Sequence, residues 1–159
     1  MQPTIHVLIG LPGSGKSTWT RKYLQNNTAT VVSSDNLIEA WGKERGLNYD
    51  QAFKQCSQKD VERQMKAEFK AALESQSNII VDRTNMTVRG RKQWLDAAKG
   101  YKKVAVVFVL DDATHNARLK ARELAEGKTI PAFVMKNMAN SYVAPTKAEG
   151  FDQVIYVRD

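Results

Sequence analysis

The sequence predicts an α/β fold, a mostly parallel five-stranded sheet with helices on both faces. Three observations carry that expectation. Short apolar runs of strand length alternate with stretches whose apolar residues recur at three- and four-residue steps. A glycine-rich turn, Gly10-Leu11-Pro12-Gly13-Ser14-Gly15-Lys16-Ser17, stands at the first strand-to-helix junction. Acidic residues (Asp35, Asp82 and Asp111) follow the ends of later predicted strands. Ligands of parallel sheets collect at the carboxyl ends of the strands, so these groups are expected to converge on one crevice.

Residues 5–9 form the first strand, and a helix opens by Thr18. Residues 30–33 form a short second strand. Asp35 reads as the N-cap of the next helix, with Leu37, Ile38 and Trp41 inside it. Residues 42–50 are polar, contain Gly46 and read as a turn or loop. Over residues 51–75, Phe53, Cys56, Val61, Met65, Phe69, Ala72 and Leu73 give the period of one long or broken amphipathic helix. Residues 78–81 form a buried strand ending at Asp82. A helix over 87–99 turns Trp94, Leu95 and Ala98 inward and stops at Gly100. The most hydrophobic strand, 104–110, belongs at or beside the sheet centre. A helix follows to about Ala125, and residues 127–131 break the pattern. Pro131 suits the first turn of another helix, which carries Phe133, Val134, Met138 and Tyr142. Residues 154–157 form the fifth strand.

The 159 residues suit a single domain spanning 1–159. No apolar run approaches the roughly 20 residues of a membrane span. Met1-Gln2-Pro3-Thr4 lacks the basic start of a secretory leader. The lone Cys56 makes no intramolecular disulfide, which points to a reducing compartment such as the cytoplasm. His6, His115 and Cys56 are too few and scattered for a transition-metal site. The net charge of +7 favours polyanionic partners.

The glycine-rich turn fits G-x-x-x-x-G-K-[ST], and its strand–turn–helix setting is the one a phosphate-binding loop requires. Gly10, Gly13 and Gly15 free the backbone to aim amides at phosphate oxygens. Lys16 reaches the β- and γ-phosphates, and Ser17 offers a hydroxyl to Mg²⁺. Asp35 fits two roles, a base that orients an acceptor hydroxyl and a helix cap. Asp82 suits Mg²⁺ binding, directly or through water, or acceptor contact with Arg83, Thr84 and Asn85; Asp and Asn are also ordinary turn formers. Arg118 and Arg122, four apart, project from one side of a helix. They suit either closure over a triphosphate or a solvated basic face. Arg89, Arg91 and Lys92 fit a nucleic acid backbone or solvent equally. Trp19, Trp41 and Trp94 stand at core spacings.

Four segments resemble the polynucleotide 5′-kinases of the P-loop kinase superfamily. They are the loop through Thr18-Trp19, Asp82-Arg83-Thr84-Asn85, His115-Asn116-Ala117-Arg118 and the run from Ala144-Pro145-Thr146 to Glu149-Gly150-Phe151. The resemblance implies a three-layer P-loop kinase fold with an arginine-bearing lid, and transfer of the ATP γ-phosphate to the 5′-hydroxyl ends of DNA or RNA. It implies Lys16, Asp35, Arg118 and Arg122 as catalytic groups, with Asp35 the general base. It implies an ATP site of Gly10, Pro12, Gly13, Ser14, Gly15, Lys16, Ser17, Thr18, Arg122, Pro145 and Thr146, the last two near the adenine. Mg²⁺ would meet Ser17 and Asp82, and the acceptor Asp35, Asp82, Arg83, Thr84 and Asn85. The phosphatase module of those enzymes has no counterpart, so 3′-phosphatase activity is not expected. Ser33, Ser34, Ile38 and Glu126 depart from the family pattern on the acceptor and lid side. The 78–94 stretch also resembles the heterogeneous nuclear ribonucleoprotein U family. Two alternatives follow, a nucleotide-gated RNA-binding module without turnover and a kinase of a small nucleoside or nucleotide sugar.

Overall fold

The computed structural model describes residues 2–158, with the backbone alone at Glu126. Five strands form one sheet: β1 (Thr4–Ile9), β2 (Thr30–Val32), β3 (Ile79–Asp82), β4 (Lys102–Val109) and β5 (Gln153–Arg158). Their order is β2-β3-β1-β4-β5 and every pairing is parallel. The expected "mostly parallel" sheet is thus wholly parallel among the described residues, because each connection returns through a helix. The helices are α1 (Lys16–Asn26), α2 (Ser34–Glu44), α3 (Tyr49–Gln55), α4 (Gln58–Glu74), α5 (Val88–Ala97), α6 (Asp112–Glu126) and α7 (Ala132–Ser141). Among the described residues no helix is long and apolar enough to cross a membrane.

Alternation along β1 splits the core. Ile5, Val7 and Ile9 face Met65 and Phe69 of α4 and Trp94 and Leu95 of α5. Leu8 faces the other way, with Ile80, Val106 and Phe108, toward Trp19 and Tyr23 of α1. A third, smaller cluster of Ile38, Ala52 and Val61 joins α2, α3 and α4.

Two local expectations are corrected, and a third, the long or broken helix over 51–75, is narrowed to the broken form. Ser33, not Asp35, caps α2: its hydroxyl accepts from the Asn36 N–H at 3.2 Å. The 51–75 pattern breaks after Cys56, where Ser57 accepts from the Asp60 N–H and starts a new helix. Pro131 occupies the N-cap of α7 rather than its first turn. The α6 side chain at Glu126, a departure from the family pattern, lies outside the described residues.

Candidate active site

β1 lies between β3 and β4, so the chain leaves the sheet centre in both directions and opens a crevice at the carboxyl ends. The phosphate-binding loop fills the β1 end of it. Gly13 (φ +78°) and Gly15 (φ +108°) adopt the left-handed backbone that side chains resist. Gly10 is required for space: a Cβ there would lie 2.5 Å from Ser14 Oγ and 3.1 Å from Phe108 Cβ. Its N–H donates to the Thr84 carbonyl at 3.1 Å, which joins the loop to the segment after β3.

The start of α1 is chemically open. Side chains of Ser33, Asn48, Ser57, Thr87 and Asp111 cap the helices that follow them, whereas α1 begins at Gly15 with no side-chain cap and no acid in its first turn. Its orphan amides are available to an anion. Lys16 folds back across the loop and its Nζ donates to the Gly10 carbonyl at 2.7 Å. Burial lowers its pKa to about 8, against the opposing pull of Asp82 and Asp35.

The loop opens into a cavity of about 1260 Å³. That exceeds the roughly 300–1,000 Å³ of a usual single-ligand pocket and leaves room for a donor and an acceptor. Pro12, Gly13, Gly15, Lys16, Ser17 and Thr18 line one end, with Asp35, Asp82, Arg83, Thr84, Arg118 and Arg122 around them. The two arginines lie directly over the loop. Arg118 Nη1 is 3.4 Å from where a Cβ on Gly15 would stand, and Arg122 Nη1 is 3.6 Å from that of Gly13. His115, one turn earlier, holds α6 in place: its Nε2 lies 2.7 Å from the Pro12 carbonyl and must carry the proton, since a carbonyl only accepts.

Asp35 is exposed to the cavity, and its Oδ1 accepts a 2.6 Å hydrogen bond from the Tyr49 hydroxyl. Burial and the Asp35 charge raise the tyrosine pKa, so Tyr49 stays protonated and donates. Burial likewise raises the pKa of Asp82, with Lys16 opposing. Ser17 and Asp82 present hard oxygen donors to one cavity, a set that fits Mg²⁺ beside phosphate and water. Among the described residues no group of three or more His, Cys, Asp or Glu is placed to hold a metal by itself.

Several expected site residues do other work. Asn85 takes a left-handed backbone (φ +50°) and turns its amide inward, where Nδ2 donates to the Leu8 carbonyl at 2.7 Å. It fastens the site loop to β1 and is removed from the acceptor set. Arg91, expected on a basic surface, is fully buried. It grips both carboxylate oxygens of Glu149, at 2.7 and 3.0 Å, and donates to the Asn85 and Met86 carbonyls. Glu149 in turn accepts from the Thr146 N–H at 3.1 Å. Pro145 is buried, and neither it nor Thr146 lines the cavity. Asp111 stays outside the crevice because both its oxygens accept from Thr114 at the start of α6.

The sequence reading missed a fastening between the α6–α7 loop and α2–α3. The Thr129 N–H donates to both Asp50 oxygens at 3.0 and 3.1 Å, the Asp50 N–H donates to the Gly127 carbonyl, and Lys128 pairs with Glu39. Tyr49 and Phe53 were missed as well. No local signal marks Tyr49, whose partner Asp35 lies in another helix, and Phe53 shares the spacing of core residues.

A family model described as an AAA domain matches residues 5–145. The chain belongs to that family. Its fold is the α/β P-loop kinase fold, like that of a chain in the structure of a Pnkp1/Rnl/Hen1 RNA repair complex (TM-score 0.68, 20% identity, 88% of this chain and 44% of that one). Among curated relatives, heterogeneous nuclear ribonucleoprotein U-like protein 2 of Mus musculus is 29% identical over 94% of this chain and 21% of its own length. The bifunctional polynucleotide phosphatase/kinase of Schizosaccharomyces pombe is 25% identical over 94% and 32%. The L-seryl-tRNA(Sec) kinase of Methanococcus maripaludis is 27% identical over 92% and 55%. The chain therefore spans between about a fifth and just over half of the length of these relatives.

Proposed function

We propose that this domain is an ATP-dependent kinase of polynucleotide 5′-hydroxyl ends. One observation carries the reading: a single cavity holds a phosphate loop, two arginines over that loop, and an exposed carboxylate, Asp35, on the facing helix. Triphosphate motors and switches activate water; a kinase needs a base facing an acceptor hydroxyl. The similarity to the fission yeast phosphatase/kinase supports the choice of acceptor, as does the net charge of +7.

In this reading the amides at the start of α1, with Lys16, hold the β- and γ-phosphates. Asp35 takes the proton of the 5′-hydroxyl as its oxygen bonds to the γ-phosphorus. The bond from that phosphorus to the bridging β–γ oxygen breaks, and ADP leaves with the electron pair. Arg118 and Arg122 stabilise charge on the phosphoryl group in transit. Ser17 and Asp82 would hold Mg²⁺, which supplies charge neutralisation between the phosphates.

Incubation with γ-labelled ATP and 5′-hydroxyl DNA and RNA oligonucleotides tests this; label is expected on the 5′ end. Absence of label from every oligonucleotide, with label on a nucleoside or nucleotide sugar, would move the acceptor to a small molecule. The likeness to the mouse ribonucleoprotein supports a second reading, RNA binding gated by nucleotide without turnover. That reading expects ATP-dependent oligonucleotide retention and no labelled product.

A further inference from the structure

The cavity continues past Asp35 into a part that the transfer chemistry does not use. There Leu47, Tyr49 and Phe53 line it together with Ile130, Val134 and Met138 of the α6–α7 loop and α7. Phe53 is 49% exposed, although its neighbour Ala52 is fully buried. The Tyr49 and Phe53 rings, one turn apart on α3, stand 6.0 Å apart at 33°. Helix α7 has no fully buried residue. Leu47 and Tyr49 rest with one side on the Ile38–Ala52–Val61 cluster, but Phe53 is too exposed to be explained as core, and with half-buried Ile130, Val134 and Met138 it borders the open cavity.

The polar groups around this part of the cavity select its occupant. Asp35, Glu39 and Asp50 bring carboxylates to the cavity, and the neighbouring Lys128 is paired with Glu39 and lies 4.9 Å over the Tyr49 ring. Such surroundings suit a neutral, flat group with hydroxyls beside it. Tyr49 sets the reach. Its hydroxyl touches the carboxylate that would meet the acceptor oxygen, and its ring lies beside Phe53. A terminal nucleoside has the same layout: the 5′ oxygen at one end, the base a few bonds away.

Building on the kinase reading above, we propose that Tyr49 and Phe53 form a stacking platform for the 5′-terminal nucleobase of the acceptor strand. The base enters beside the α3 rings and α7 while the 5′ oxygen reaches Asp35. A base bound this way has left its pair, so single-stranded and overhanging 5′ ends are preferred to blunt ones.

The test compares 5′-hydroxyl oligonucleotides that carry a terminal base with oligonucleotides whose terminal sugar is abasic, in DNA and RNA arms. Stacking on an aromatic side chain corresponds to a preference of about tenfold in kcat/KM for the base-bearing end. In Phe53→Ala that ratio is expected to fall to near one in whichever arm shows it, and in Phe53→Trp to be kept. A ratio in Phe53→Ala equal to that of the parent overturns the platform. If no oligonucleotide is phosphorylated, the kinase reading fails by itself and binding decides the platform. Indole emission of Phe53→Trp, less that of the parent with its Trp19, Trp41 and Trp94, should then be quenched by base-bearing ends and not by abasic ones. Equal quenching by both, or none, rejects it.

Discussion

On the proposed kinase reading the cavity has a donor half and an acceptor half, and the two are built differently. The donor half rests on the sheet. Its loop is tied to β1, the β3 exit and α6 through the Gly10–Thr84, Asn85–Leu8 and His115–Pro12 hydrogen bonds. The acceptor half rests on the small α2–α3–α4 cluster, with Ile38, Ala52 and Val61 as its buried apolar members among the described residues. There Asp35 and Phe53 are exposed, and the α6–α7 loop is fastened through Asp50, Gly127 and Thr129. Phosphate geometry is the same for every acceptor, so a rigid donor site suits all of them. Acceptor choice can then change on a satellite cluster without disturbing the sheet.

The sharpest way to break this contrast is Asp35→Asn. The change keeps size and removes the base, and Asn36 and Ser33 still start α2. Transfer to 5′-hydroxyl ends should fall about 10²–10⁴-fold, the usual contribution of a positioned base. ATP affinity, measured by titration calorimetry, should change little. Undiminished transfer would remove Asp35 from its role.

Next in size is Arg91→Ala, which attacks the donor scaffold from within. The Arg91–Glu149 pair is desolvated, with side chains 0% and 6% exposed. Removing one partner strands the other charge, at a cost of about 3–5 kcal/mol in urea denaturation. The variant should lose stability, and ATP with it, while Arg91→Met paired with Glu149→Gln recovers most of the loss. An Arg91→Ala protein as stable as the parent would show that the donor half does not depend on this anchor.

Tyr49→Phe is expected to have a smaller effect and to act on the acceptor side alone. It deletes the 2.6 Å hydrogen bond to Asp35 and leaves the ring in place. Loss of one hydrogen bond to a charged group predicts roughly a tenfold fall in kcat. A change confined to KM for ATP would contradict the assignment of Tyr49 to the acceptor half.

The two halves also differ in what their residues disclosed before folding. The phosphate loop, Asp35, Asp82 and the arginine pair were legible because their spacing follows from strand ends and helix turns. Arg91 was not: its partner Glu149 lies 58 positions away, and nothing local separates a buried arginine from the exposed Arg89 beside it. Asn85 misled for a related reason, since a turn former in a polar run looks like a site residue until its left-handed backbone points the amide at Leu8. Ser33 and Asp35 are both good caps, and only the end of β2 at Val32 decides between them. Phe53 fitted a core helix by period and Tyr49 fell in a stretch that read as turn or loop, yet both stand on α3 and line the cavity.

The smallest effect is a proton count, and it isolates the donor half. Burial holds the Lys16 pKa at about 8, below its ordinary 10.5. Its charge therefore costs stability below about pH 8, and that cost fades as pH rises toward 10.5. A bound triphosphate acts in the opposite direction, because nearby negative charge favours the ammonium form. ATP binding at pH 8 should thus take up roughly half a proton at this site, and close to none at pH 6. Calorimetry in buffers of different ionisation enthalpy reads this directly, with the γ-phosphate's own titration subtracted through Lys16→Met. Uptake of the same size in Lys16→Met would assign it elsewhere. Uptake that instead follows Tyr49→Phe would mean that the two halves are electrostatically one site.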